Sequence, residues 1–250
     1  MFKSLVLSTA LSFVAVTSWA QTGPARPAAE PATPEQIATT RAHADSIIAK
    51  AAAADVFTNV TNGKRAEIRH NRSGMTCSFE VGDGSVTIFQ GLPRGDDVGC
   101  TERVGAIVLS TYATRFPEPL TVDQVFDMSL RALQQGTPTA KPYTGEVTTI
   151  SATGLDELLP KTRVAYFGYE RAPMAGQTAP SRVVTRLAVA MRGEWALKQR
   201  ISGPEAEATT LSMLGETAMF TMLLGMLTHD LGAQSPAPAA PRPAGSPPIP

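Results

Sequence analysis

Apolar and polar residues alternate most clearly between residues 182 and 202, with a break only at residues 192–194. The alternation resumes at Trp195 after that break. A period of two residues is typical of a β-strand with one buried face, so this segment is predicted to be a long β-hairpin. The residues that follow are predicted to form a long apolar helix that ends near Gly232. A hairpin that leads directly into such a helix predicts a core built from a sheet and a helix.

Two further helices are predicted from their first residues. Thr33 is followed three positions later by Gln36, and the same spacing recurs at Thr121 and Gln124. Threonine before a helix with glutamine three residues on is the capping-box pattern, in which two backbone amides gain side-chain acceptors. The first helix is expected to run to about Asp55. Apolar residues recur on one face of each segment, which favours amphipathic helices lying on a sheet.

Short segments rich in β-forming residues, separated by turn residues, predict the remaining strands. The run that begins at Val104 is nearly continuously apolar at its start, so we interpret it as a central strand buried on both faces. Consecutive strands joined by short turns pair antiparallel. The fold class predicted is therefore α+β, with an antiparallel β-sheet covered by helices in a helix–sheet–helix sandwich. The predicted strands before the hairpin cover residues 66–70, 75–79, 85–89, 104–116, 146–151 and 163–171.

The order of elements from Met75 to Leu231 resembles that of the PsbP-like fold. That family also has a β-hairpin, a further strand, one helix, a run of antiparallel strands and a closing helix. Its members are mostly accessory proteins without catalytic activity, so the resemblance implies a role of that kind.

Both ends of the sequence have a composition that differs from the middle. Residues 1–20 combine a positive start, an apolar run and a small-x-small site at Ala20, which is the pattern of a secretory signal peptide cleaved after that residue. A buried N-terminal helix is the alternative. Residues 21–33 are predicted to be a Pro/Ala linker, residues 34–232 a single domain, and residues 233–250 a disordered Pro-rich tail. The mature protein is expected in the periplasm or outside the cell.

Composition and charge exclude some classes of partner. The sequence has 22 basic and 22 acidic residues, and the basic residues are scattered, so no electrostatic footprint of a nucleic-acid binder is present. After the signal peptide, the longest strongly apolar run, residues 218–227, has about half the length that crosses a bilayer. No transmembrane span is therefore predicted in the mature chain.

The two cysteines, Cys77 and Cys100, are predicted to form one disulfide that closes a loop. An exported chain with two cysteines most simply pairs them, because its compartment is oxidising. Free thiols, or a redox or metal site, are the alternatives. There is no C-x-x-C motif to favour a redox site.

The candidate binding residues are Arg69, His70, Arg72 and Ser73. Arginine presents paired donors that suit carboxylate or phosphate groups, so this cluster is interpreted as a possible anion or ligand site. In the alternative interpretation, strand alternation places Arg69 in water and His70 half-buried, and Ser73 belongs to a turn. A small hydrolase that uses His70 with the neighbouring arginines is a further hypothesis, but the sequence has no G-x-S-x-G elbow and no H-E-x-x-H motif.

The final helix carries an apolar stripe that includes Leu214, Ala218, Met222 and Met226. Much of the remaining circumference is apolar too, which indicates either burial on most sides or a face shared with a partner. Methionine fills core gaps and also serves adaptable binding surfaces. The residues proposed for a partner face are Met219, Met222, Leu223 and Met226.

The first functional hypothesis is an exported, non-catalytic accessory or binding protein. Its partner could be another periplasmic protein that contacts the final helix or the Pro-rich tail. A carrier of an apolar ligand, held between the sheet and the final helix, is a third hypothesis after the hydrolase. Asp83, Asp96 and Asp97 with Glu80 do not follow the spacing of a calcium loop, so we predict no metal and no cofactor.

Overall fold

A computed structural model describes residues 30–147, 159–172 and 180–234, with side chains as far as residue 227. The predicted signal peptide, most of the linker, most of the predicted strand at 146–151 and all but two residues of the tail lie outside these ranges. Within them the chain forms three α-helices and ten β-strands. In chain order these elements are α1 (Pro34–Lys50), β1 (Phe57–Asn59), β2 (Ala66–His70), β3 (Thr76–Phe79), β4 (Ser85–Ile88), β5 (Asp97–Val104), β6 (Ile107–Arg115), α2 (Val122–Gly136), β7 (Lys141–Pro142), β8 (Thr162–Arg171), β9 (Ser181–Arg192), β10 (Trp195–Pro204) and α3 (Ala208–Gln234).

The described strands form two antiparallel sheets. A three-stranded sheet has the order β1-β2-β3, and a seven-stranded sheet has the order β4-β5-β6-β10-β9-β8-β7. The predicted hairpin is β9 with β10, and Gly193 turns the chain between them with a φ of 55°. The α+β class is therefore confirmed, although the sequence had not separated the strands into two sheets.

Alternation along β9 divides the seven-stranded sheet into two buried faces. Leu187 and Val189 pack with the α2 residues Val125 and Phe126. Ala188 and Ala190 point to the other face and join the core that contains α3, α1 and the three-stranded sheet. Because both faces are covered in this way, the predicted helix–sheet–helix sandwich is confirmed.

The helix ends follow the predicted chemistry at the start of α1 and α2. The side chains of Thr33 and Thr121 each accept a hydrogen bond from the backbone amide of the glutamine three residues later. The side-chain oxygen of that glutamine in turn accepts a hydrogen bond from the threonine amide. Helix α1 ends at Lys50, earlier than predicted, because Ala52 adopts a φ of 48°. A left-handed residue turns the chain out of the helical path.

The central strand predicted over residues 104–116 is largely β6, which lies between β5 and β10 in the seven-stranded sheet, but its predicted burial on both faces is wrong. The segment contains the end of β5, a tight turn at Gly105 with a φ of 60°, and the whole of β6. Val104 lies beside that turn and is 40% exposed, and most of β6 is half-buried. The predicted strand therefore began too early, because Gly105 turns the chain between β5 and β6.

The predicted disulfide between Cys77 and Cys100 is present, with 6.4 Å between the two Cα atoms. Cys77 lies on β3 and Cys100 on β5, so the bond joins the three-stranded sheet to the seven-stranded sheet. Both cysteines are buried in the core that they connect. A covalent link at this position fixes the floor on which α3 lies.

Helix α3 is attached to the sheet by a buried arginine. The Arg186 side chain is 0% exposed and its Nη2 atom donates to Glu216 Oε1 on α3 at 2.8 Å. Its Nη1 atom donates to Gln199 Oε1 at 2.5 Å. A Cβ atom on Gly215 would lie 2.8 Å from Arg186 Cδ, so a glycine at this helix position allows the close approach.

The segment Glu205–Leu227, which comprises a short 3-10 turn and most of α3, is long and apolar enough to cross a membrane by length and composition. Over 18 of its residues the mean hydropathy is 1.3, and 39% of that stretch is buried inside the fold. The strongly apolar run at residues 218–227, from which no transmembrane span was predicted, is only part of this longer segment.

Candidate functional site

The predicted site residue His70 lies at the end of β2, where the chain turns towards β3. Its Nδ1 atom lies 2.8 Å from Ser73 Oγ and accepts a hydrogen bond from the Ser73 amide at 3.2 Å. The His70 amide donates to the Met75 carbonyl, which closes the same turn. An Nδ1 atom that accepts from an amide carries no proton, so the neutral ring has its proton on Nε2.

The ring of His70 is sealed inside the protein. Its relative exposure is 0%, and the rings of Phe57 and Trp195 lie 5.4 Å and 5.2 Å from it. Burial and, to a smaller extent, the charge of Arg72 lower the pKa of His70 from 6.5 to about 4. The Nε2 atom faces the backbone of Gly95, but no hydrogen bond of ordinary geometry joins the two. His70 is thus a buried neutral ring that stabilises a turn.

The two arginines of the predicted site do not converge. Arg69 precedes His70 on β2 and therefore points to the opposite side of the strand. Arg72 forms an ion pair with the buried carboxylate of Asp96, and its guanidinium lies 5.8 Å from the centre of the Trp195 ring. The structure therefore brings His70, Ser73 and Arg72 together without leaving a free anion site or an accessible base. A hydrolase that used His70 as its base would need that base to be accessible to substrate.

The four residues proposed for a partner face lie in the core. Met219, Met222, Leu223 and Met226 are 1–4% exposed and pack with the two sheets. Of the two alternatives left open by the sequence, the structure shows core burial for these four residues, which present no exposed face to a partner. Their burial follows from the three-stranded sheet, which covers a side of α3 that the sequence left open.

Beside this core, a cleft of about 400 Å³ runs between α3 and the two sheets; we call it the α3 cleft. One wall is the α3 stripe, and the floor contains the Cys77–Cys100 disulfide. Leu214 and Ala218 belong to the apolar stripe recognised in the sequence, but only the tertiary structure shows that they face a space. The α3 residues that line the cleft are Leu214, Thr217, Ala218, Thr221 and Met222.

The charged groups of the α3 cleft are concentrated at one end. Arg65 forms ion pairs with Glu80 and Glu102, and its Nε donates to Ser78 Oγ at 2.7 Å. Burial raises the pKa of Glu102, and the charge of Arg65 opposes that shift. This end of the cleft thus holds one cation already neutralised by two carboxylates.

The aspartates that had been weighed as calcium ligands take separate partners. Asp83 accepts hydrogen bonds from the amides of Gly84 and Arg103, and Asp97 accepts one from Thr114 Oγ1 at 2.6 Å. The third carboxylate, Asp96, is the one that pairs with Arg72. Each of the three carboxylates thus has its own hydrogen-bond or ion-pair partners.

No protein-family model and no curated protein matches this sequence. Among solved structures, the crystal structure of LpqN, described as involved in cell envelope biogenesis of Mycobacterium tuberculosis, is similar to this chain at 14% identity with a TM-score of 0.26. The similarity covers 56% of this chain and 82% of that chain. A TM-score this low does not establish a common fold.

Proposed function

We propose that this chain is an exported, non-catalytic binding protein that holds an uncharged apolar ligand in the α3 cleft. The observation that carries the proposal is the cleft itself, about 400 Å³ of space bordered by α3 and the disulfide. Ligand pockets generally span roughly 300–1,000 Å³ and are lined mainly by apolar side chains. If side chains filled the space between the sheets and α3, the structure would instead favour a purely structural role for this helix.

The walls indicate the chemistry of the ligand. Leu214, Ala218 and Met222 offer an apolar strip along α3, opposite Leu109 of β6. Burial of apolar surface contributes about 25 cal/mol per Å², so an elongated hydrocarbon gains affinity along its length. Methionine adapts to irregular apolar shapes, which suits a chain rather than a rigid ring system.

The polar end of the cleft disfavours an anionic headgroup. A carboxylate placed beside Arg65 would also meet Glu80 and Glu102, which already neutralise that guanidinium. Like charges at short distance oppose binding. We therefore infer an uncharged headgroup, such as the hydroxyl of a long-chain alcohol or of a monoacylglycerol.

Two observations support the non-catalytic and exported parts of the proposal. His70 is sealed from solvent, so the described residues around it offer no accessible base. The Cys77–Cys100 disulfide is typical of a protein that folds in an oxidising compartment. The cleavage after Ala20, the PsbP-like order of elements and a protein partner at the Pro-rich tail stay predictions.

The test measures displacement of N-phenyl-1-naphthylamine, an uncharged fluorescent probe, from the full mature chain. Dodecanol should displace the probe, and dodecanoate should do so at least about tenfold less well. The Ala218→Phe variant fills the cleft and should weaken probe binding by a similar factor. Thr221→Phe, at a more exposed lining position, is the second filling variant in case the first does not fold.

The matched control is Met213→Phe, which adds an aromatic ring to α3 at a position 48% exposed and away from the cleft lining. It should bind the probe like the parent protein. Equal binding by the parent and both filling variants would refute the proposal, as would stronger displacement by dodecanoate than by dodecanol.

A further inference from the structure

The seven-stranded sheet has a second cleft on its opposite face, which we call the α2 cleft. Helix α2 covers β8 and β9 on this face, and a space of about 290 Å³ remains between the helix and β6 and β10. This space is separated from the α3 cleft by the sheet. Its lining includes Phe89, Tyr112, Ala132, Leu133, Lys198 and Arg200.

Two cations on β10 point into the α2 cleft. Lys198 and Arg200 are two residues apart, so both project from the same face of the strand. Neither forms an ion pair within 4.0 Å of a carboxylate in the part of the chain that the structure describes. The carboxylate of Asp97 also lines the cleft, but it accepts from Thr114 Oγ1. The cleft therefore carries two positive charges against one negative charge.

The environment of Lys198 makes its charge costly without a partner. Burial lowers the pKa of Lys198, and Asp97 only partly opposes the shift. The Nζ atom lies 5.7 Å from the centre of the Tyr112 ring, which offers a weak cation–π contact. A bound anion would restore the stabilisation that the ammonium group loses on burial.

The remaining walls are flat and apolar. Gly99 on β5 has no side chain, so the Tyr112 and Phe89 rings can lie over the strand: a Cβ atom there would be 2.7 Å from Tyr112 Cδ1 and 3.2 Å from Phe89 Cε2. The two rings are 6.0 Å apart and tilted by 45°. On the other side, Ala132 and Leu133 of α2 complete an apolar slot.

We propose that the α2 cleft binds a small aromatic monoanion, with its carboxylate between Lys198 and Arg200 and its ring between the Tyr112–Phe89 pair and α2. This site is independent of the ligand proposed for the α3 cleft. The two sites differ in charge. The α2 cleft has two cations and one carboxylate, whereas the α3 cleft has one cation that is paired with two carboxylates. The α2 cleft also differs in shape, because a slot between two rings and a helix suits a planar body.

The probes are 2-naphthoate and its neutral isostere 2-naphthamide, each titrated to about 1 mM into the full mature chain by calorimetry. Naphthoate should bind at least about tenfold more tightly than naphthamide. Lys198→Met and Arg200→Gln should each remove most of that preference, whereas Lys198→Arg should keep it. Lys141→Gln, which removes an exposed cation from β7, is the matched control and should bind like the parent.

Some outcomes would overturn the proposal. These are the absence of naphthoate binding at the highest concentration, equal affinity for the acid and the amide, or an unchanged preference in both cation variants. The Ala218→Phe variant separates the two clefts, because it should leave naphthoate binding intact. If naphthoate binding fell in Ala218→Phe and persisted in Lys198→Met, the anion would belong to the α3 cleft.

Discussion

The buried ring of His70 should make this domain sensitive to mild acid. In the native state its pKa is lowered to about 4, chiefly by burial, whereas the unfolded chain keeps a value near 6.5. Between these values the unfolded state binds a proton that the native state does not. The free energy of unfolding is therefore not reduced by His70 above about pH 6.5, and it decreases as the pH falls from there towards 4.

The size of the effect follows from the two pKa values. The pKa of His70 falls from 6.5 to about 4 on folding, and each pH unit of this difference corresponds to about 1.36 kcal/mol. The free energy of unfolding is therefore lower by roughly 3 kcal/mol once the pH is below both values. Between about pH 7.5 and about pH 5 the expected loss is about 2 kcal/mol. With a denaturant dependence of about 2 kcal/mol per molar urea, the unfolding midpoint should move by about 1 M.

The assay is urea unfolding of the parent and of His70→Phe at both pH values, followed by tryptophan fluorescence. The variant keeps an aromatic ring beside Phe57 and Trp195 but cannot take up a proton. Carboxylates titrate alike in both proteins, so the difference between their pH responses isolates the histidine. The parent should lose about 2 kcal/mol more than the variant. Parallel losses would refute a buried neutral His70, and a ring NMR titration with a midpoint near 6.5 would do so directly.

Two further perturbations act on the links between layers. Removal of the disulfide by Cys77→Ser with Cys100→Ser should lower the free energy of unfolding by roughly 3 kcal/mol, because the bond closes a loop of 23 residues. Chemical denaturation measures this loss. An unfolding midpoint that does not change when the disulfide is reduced would contradict the prediction. Glu216→Ala should cost about 3 kcal/mol, because it leaves Arg186 charged and buried. The matched Glu216→Gln variant keeps an acceptor for the guanidinium and should lose less free energy of unfolding than Glu216→Ala. Equal stability of the parent and both variants would show that the ion pair does not hold α3.

Local chemistry made several parts of the fold predictable. Alternation gave the β9–β10 hairpin, since its strands each bury one face and Gly193 allows the turn. Capping patterns at Thr33 and Thr121 gave the starts of two helices to the residue. In these segments the energetics depend on neighbours in the chain, so the sequence suffices.

Tertiary contacts decided the rest. The apolar circumference of α3 is compatible with a partner face when only the sequence is considered. In the structure, the three-stranded sheet packs in the same core as Met219 and Met222 and buries them. Lys198 and Arg200 follow the polar half of an alternating strand, which by itself indicates solvent. Only the pairing of Lys198 with Tyr112, together with the position of α2, places them in a cleft.

The strand order of the seven-stranded sheet has a consequence for the path by which the chain folds. Strands β4, β5 and β6 form one meander and β8, β9 and β10 another, and the connections within each have nine residues or fewer. The two meet only along β6 and β10, where Trp195 pairs with Arg115 across 80 residues of chain. Local pairings form before distant ones, because loop closure costs entropy before any contact offsets it. Pairing of β6 with β10 is thus expected to be the slow step of folding. If the chain were cut between α2 and β8, the two fragments would be expected to associate through this pairing.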